Sequence, residues 1–147
     1  MKTLICGKGD CGKSSVTALL AIELEKRGYK VIVVDNDESN FGLHIQLGME
    51  LPKDFAIHFG DKRMVAEKLL TSMKEGGERF SVFGGGINLI AIGKIRDFGE
   101  GCACPFNALS AEFLRMLDLS KGEFALVDTD AGVEHFGEVL SSAVTSF

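Results

Sequence analysis

The chain has 147 residues, 46% of them hydrophobic and 25% charged, with a net charge of −5 at neutral pH. That length suits one domain able to bury about 68–70% of its unfolded surface, and the acidic balance excludes the broad basic footprint of a nucleic-acid binder. No apolar run approaches the ~18 residues of a membrane span, and Met1–Ile5 is too short for a signal-peptide core. A cytoplasmic protein without membrane insertion is therefore expected, its four cysteines free or metal-bound rather than disulfide-bonded.

Residues 2–6 read as a buried strand, with Cys6 packed as a small hydrophobe. Next comes Gly7-Lys8-Gly9-Asp10-Cys11-Gly12-Lys13-Ser14-Ser15, which satisfies G-x-x-x-x-G-K-[ST] between a strand and a helix-patterned segment, the context of a phosphate-binding loop. Glycines let backbone N–H groups approach phosphate oxygens closely, and the helix starting near Ser14 aims its positive dipole end at the same anion. The dipole contributes only about 0.3–1 kcal/mol. Lys13, a point charge for the β- and γ-phosphates, contributes roughly 4 kcal/mol at 4 Å and an effective dielectric of 20. Ser14 is placed to ligate Mg²⁺. Gly7, Gly9, Asp10, Cys11, Gly12, Lys13, Ser14 and Ser15 are candidate contacts for ATP or ADP.

Lys8 completes Gly7-Lys8-Gly9, and here the sequence resembles the deviant Walker A ATPases, the class of the septum-site and partition ATPases and the nitrogenase iron protein. The resemblance implies that Lys8 reaches across a homodimer interface to the partner's nucleotide. The class usually has glycine where this chain has Asp10, and an aliphatic residue where it has Cys11. Asp10 sets a negative charge beside the phosphates.

Val16, Leu19, Leu20, Glu23 and Leu24 carry a helical period whose apolar members share one side, and Gly28 reads as the C′ residue. Val31-Ile32-Val33-Val34 is a continuous apolar run, the mark of a parallel strand covered on both faces, which completes a βαβ unit. At that strand's carboxyl end stand Asp35 and Asp37, where ligands of open α/β sheets bind. They resemble the class's second acidic motif, which contacts Mg²⁺-bound water and orients the attacking water; a solvated turn is the alternative reading. His44 and His58 have no partner at a metal-ligand spacing. Residues 62–74 are patterned as an amphipathic helix with a solvated basic face. Gly84-Gly85-Gly86 precedes the strand 87–92 and reads as a flexible turn.

Gly101-Cys102-Ala103-Cys104-Pro105 is the second site-bearing stretch. A C-x-C pair is poorly suited to a mutual disulfide, yet both thiolates can face one soft metal ion, and a two-fold dimer supplies the other half of a tetrahedral shell. Two idle thiols remain the alternative. Pro105 suits the first helical position, Leu109, Phe113, Met116 and Leu117 continue a helix, and a helix N-terminus favours the Cys104 thiolate. Phe124-Ala125-Leu126-Val127-Asp128 is a further buried strand ending in an acid. With Thr129-Asp130-Ala131-Gly132 it reads as the Walker B element, Asp128 holding Mg²⁺ through water.

The run Gly99–Pro105 with Asn107-Ala108-Leu109, followed by Asp128–His135, resembles the CooC-type nickel-insertion ATPases that mature carbon monoxide dehydrogenase. That resemblance implies an α/β fold, doubly wound with a mostly parallel sheet and helices on both faces. It also implies ATP hydrolysis with Mg²⁺, a homodimer, Ni²⁺ or Zn²⁺ bound by Cys102 and Cys104, and a carbon monoxide dehydrogenase-like client. Glu134 and His135 match the family's run without an assigned role. Family members are longer, so residues 1–147 are expected to be the N-terminal part of a P-loop nucleotide-binding domain, incomplete at the C-terminus. Three other readings compete: a partition- or septum-type switch ATPase, a nucleotide-binding fragment without turnover, and an iron–sulfur reductase with dimer-related cysteine pairs. No Lys or Arg follows Lys121, which counts against a basic membrane-binding tail.

Overall fold

A computed structural model describes residues 1–37, 42–52, 81–92 and 104–129. In chain order the elements are β1 (Lys2–Ile5), α1 (Lys13–Lys26), β2 (Lys30–Asn36), α2 (Leu43–Gln46), β3 (Ser81–Gly84), β4 (Ile87–Ala91), α3 (Cys104–Met116) and β5 (Glu123–Thr129). The strands form one sheet in the order β1-β5-β2-β4-β3. β1, β5, β2 and β4 are mutually parallel, and β3 runs antiparallel to β4 at the edge. The expected α/β architecture is therefore present, with β5 inserted between the first two strands. Sequence periodicity missed β3, which is four residues long and closes on β4 through a tight turn.

Helices cover both faces. On one, Ala111, Phe113, Leu114 and Leu117 of α3 and its end pack with Val34, Ile90, Ile92, Ala125 and Val127. On the other, Ala18 and Ala21 of α1 pack with Val31, Val33, Leu43, Ile87, Leu89 and Leu126. Successive side chains of β2 alternate between these two cores, as a pleated strand covered on both sides requires. The same alternation sends Asp35 and Asp37 to the α1 face and Asn36 to the α3 face, and on β5 it sends Asp128 to the α1 face.

Helix α1 departs from its sequence period. Val16 and Leu19 are 52% and 68% exposed, while the buried positions are Lys13, Ser14, Thr17, Ala18 and Ala21. Small side chains bring the helix close to the sheet, and the close approach carries Thr17 onto β5; the larger Leu20 and Leu24 pack only at the margin. The C-terminus is a Schellman motif: Gly28, at φ 84°, donates to the Glu25 carbonyl at 2.8 Å, and Tyr29 donates to Leu24 at 3.1 Å.

Two further expectations are corrected. Strand β1 ends at Ile5, and Cys6, expected in the core, is exposed at the start of the loop. Gly84-Gly85-Gly86 is a defined turn rather than a flexible one. Gly85 sits at φ 62°, and a Cβ on Gly85 or Gly86 would lie 2.7 Å from Glu25 Oε1 or 3.0 Å from Glu25 Cγ. The Gly86 N–H donates to Glu25 Oε1 at 3.3 Å, so the turn is docked on α1. The helix over residues 62–74 and His58 lie outside the described residues. No described helix is long and apolar enough to cross a membrane.

Candidate functional site at the carboxyl ends of the parallel strands

The loop from Gly7 to Gly12 joins β1 to α1. Cys11 N–H reaches the Lys8 carbonyl at 3.4 Å, and Val16 N–H donates to the Gly12 carbonyl at 2.9 Å as α1 begins. Gly12, at φ 85° and ψ 21°, precedes the helix and has no side chain with which to cap it. The first-turn N–H groups are thereby left for an anion. At Gly7 the approach is close: a Cβ there would stand 2.6 Å from Cys11 Sγ, which would have to turn away. Asp10 occupies the left-handed region at φ 58°, a conformation that glycine adopts without cost and that other residues rarely adopt. Lys8, Gly9, Asp10, Cys11 and Ser15 are exposed, whereas Lys13 and Ser14 are buried.

Lys13 Nζ donates to the Lys8 carbonyl at 3.1 Å, so the ammonium lies folded back over its own loop. Behind it, the strand registers align Ile5 with Asp128 and Asp128 with Asp35, which sets the loop and both acids side by side at one end of the sheet. Thr17 Oγ1 is 2.9 Å from the Lys13 carbonyl and 3.3 Å from Asp128 Oδ1. Asp35 Oδ1 accepts the Asp37 backbone N–H at 3.3 Å, fixing the turn out of β2.

Asp128 is fully buried. Burial pushes its carboxyl above the ordinary carboxylate value and the Asp37 charge adds to this; the Ser14 and Thr17 hydroxyls and the Lys13 ammonium oppose it. Its Oδ2 has no hydrogen-bond partner among the described residues. A buried carboxylate oxygen without a partner is costly in an apolar surround. Beside a serine hydroxyl and a lysine, that oxygen suits a hydrated cation held against phosphate, so the residues present fit Mg²⁺.

The predicted site residues Lys13, Ser14, Asp35, Asp37 and Asp128 thus converge. Thr17 was not legible as a site residue, although it lies one helical turn from Lys13 and Ser14 and so shares their face. Cys104 opens α3 as expected, while Cys102, Asp130, Gly132, Glu134 and His135 lie outside the described residues. Among the described residues no group of three or more His, Cys, Asp or Glu side chains is disposed to hold a metal ion.

A strand, a glycine-rich loop, a buried lysine and serine at a helix start, and acids on two neighbouring strand ends define a P-loop nucleotide-binding fold. Residues 2–146 match the CobQ/CobB/MinD/ParA nucleotide-binding domain, and the chain belongs to that family. It is 50% identical over 153 residues to an ATP-binding protein of Methanocaldococcus jannaschii, covering 93% of this chain and 61% of that one. It is 32% identical over 157 residues to the carbon monoxide dehydrogenase accessory protein CooC of Rhodospirillum rubrum, covering 98% of this chain and 60% of that protein. The septum site-determining protein MinD of Pyrococcus horikoshii, solved with Mg-ADP, shares the fold with a TM-score of 0.60 at 19% identity, over 97% of this chain and 54% of that one. The chain spans about 60% of the length of those curated relatives.

Proposed function

We propose that this protein is a dimeric ATPase that carries nickel or zinc and assists metal insertion into a carbon monoxide dehydrogenase-like enzyme. The observation that carries the nucleotide chemistry is the convergence of Lys13, Ser14, Asp128 and Asp35 at one end of the sheet. The loop N–H groups and Lys13 bind the phosphates, and Lys13 exchanges its contact with the Lys8 carbonyl for a phosphate oxygen. Ser14 and Asp128 hold Mg²⁺, which supplies charge neutralisation to the phosphates when bound. Asp35, with Asp37 behind it, orients the attacking water toward the γ-phosphorus. Lys8, exposed on the loop, serves the partner's nucleotide.

The metal role draws on the 32% identity to CooC across nearly the whole chain and on the C-x-C pair leading into α3. In this reading Cys102 and Cys104 from each protomer make a four-thiolate shell for the cargo ion, and ATP binding alters the pair's exposure. Titration of nickel and zinc against the wild type and the Cys102→Ser/Cys104→Ser variant tests it. One ion per dimer is expected for the wild type and none for the variant; equal binding by both removes the metal role and leaves a nucleotide switch.

A further inference from the structure

Helix α3 is held to the sheet by an apolar stripe, Phe113, Leu114 and Leu117, with one exception at the same helical spacing. Ser110 is fully buried, and its hydroxyl hydrogen-bonds the side-chain oxygen of Asn36, itself buried. A hydroxyl in such a stripe adds little packing and must be satisfied, so its presence calls for a reason beyond cohesion.

Asn36 is the last residue of β2 and stands between Asp35 and Asp37. Because side chains alternate along a strand, the two acids face the phosphate loop while the amide between them faces α3. One backbone segment therefore presents the water-orienting groups on one face and a handle for α3 on the other. In register beside it, Thr129 Oγ1 donates to the Ile5 carbonyl at 2.9 Å, which ties the end of β5 to β1 where the phosphate loop departs. From Ser110 to Cys104, the first residue of α3, is six residues, about 9 Å along the helix axis.

We propose that Asn36 and Ser110 are positioning residues: their buried hydrogen bond sets the end of β2, and with it Asp35 and Asp37, and makes α3 move with that end when nucleotide binds. The inference rests on reading the site as a nucleotide hydrolase, and extends it by naming how the bound state reaches the helix that Cys104 opens.

The test uses the full chain as wild type, Ser110→Ala, Ser110→Thr, Asn36→Ala and the Ser110→Ala/Asn36→Ala double variant. Three quantities are measured on each: magnesium-ADP affinity, steady-state ATP turnover, and hydrogen exchange of α3 amides with and without a non-hydrolysable ATP analogue. In Ser110→Ala the ADP affinity is expected to stay within about twofold while kcat falls about tenfold, the signature of a contact that matters in the transition state only. Its α3 amides lose the nucleotide-dependent change in protection that the wild type shows. Ser110→Thr, which keeps the hydroxyl, restores both. Asn36→Ala matches Ser110→Ala, and the double variant is no worse than either single, because both remove the same bond. A Ser110→Ala protein with wild-type kcat, or one whose α3 still responds to nucleotide, overturns the proposal. So do additive losses in the double variant. A wild type that binds no nucleotide overturns the site reading itself, and the ADP titration separates that result from the others.

Discussion

The two faces of the sheet are built from different materials. On the α1 face, buried Lys13, Ser14, Thr17, Asp35, Asp37 and Asp128 crowd the carboxyl ends of the strands, and the helix approaches through threonine and alanine. On the α3 face, Phe113, Leu114 and Leu117 meet Val34, Ile90 and Val127, with the Ser110–Asn36 pair, Asn88 and Thr129 as buried polar groups on that face. Both faces carry an apolar core, and the contrast teaches that the chemistry is gathered under α1. A helix that must deliver a phosphate loop to two acidic strand ends has to lie close, and closeness excludes large side chains.

Substitutions on the two faces should therefore fail in different ways. Phe113→Ala opens a cavity in the core under α3 and is expected to lower unfolding stability by about 3–5 kcal/mol. In urea titrations the midpoint falls, while nucleotide affinity of the folded protein stays at the wild-type level. Thr17→Ala removes a hydroxyl from the buried Asp128 carboxyl, an expected cost of about 1–3 kcal/mol, most of it appearing as weaker Mg²⁺-nucleotide binding in calorimetry.

Asp128 gives the comparison a pH axis. Its carboxyl is raised in the fold by burial, so the neutral form is favoured there. Its contribution to stability is fully present below the ordinary carboxylate value and is lost as pH rises through the raised folded value. At neutral pH without nucleotide, Asp128→Asn is expected to be more stable than the wild type, with the difference vanishing on acidification. Thermal melts across pH check this, and the same variant should lose Mg²⁺-dependent nucleotide binding. Leu19→Gln, on the exposed side of α1, should change stability by no more than about 0.5 kcal/mol. A larger loss in dilute monomer would show that Leu19 is covered within the protomer.

Much of the α1 face is written locally in the sequence. The phosphate loop, the apolar run ending at Asp35 and the run ending at Asp128 each carry their signal within about ten residues, which is the reach of periodicity and motif reading. What escaped depends on partners distant in sequence. Thr17 meets Asp128 across 111 residues and Ser110 meets Asn36 across 74. β3 escaped for another reason: its partner β4 is the next strand, but four residues are too short a window to show a period. Val16 and Leu19 misled for a physical reason: periodicity counts apolar side chains but not their size, and here size decides which side of α1 can approach the sheet. Cys6 reads as a core residue because free cysteine packs as a small hydrophobe, although the strand gives way to the loop one residue earlier. Cys102 and the Glu134-His135 run were legible as motifs and lie outside the described residues.

The central claim is that the loop from Gly7 to Ser15, with the acids behind it, holds a nucleotide chiefly through the Lys13 charge. Calorimetric titration of magnesium-ADP into the wild type and Lys13→Ala tests it directly. A loss of about 4 kcal/mol, close to 10³-fold in affinity, is predicted. Equal affinity in the two proteins, or no binding by the wild type, would contradict it.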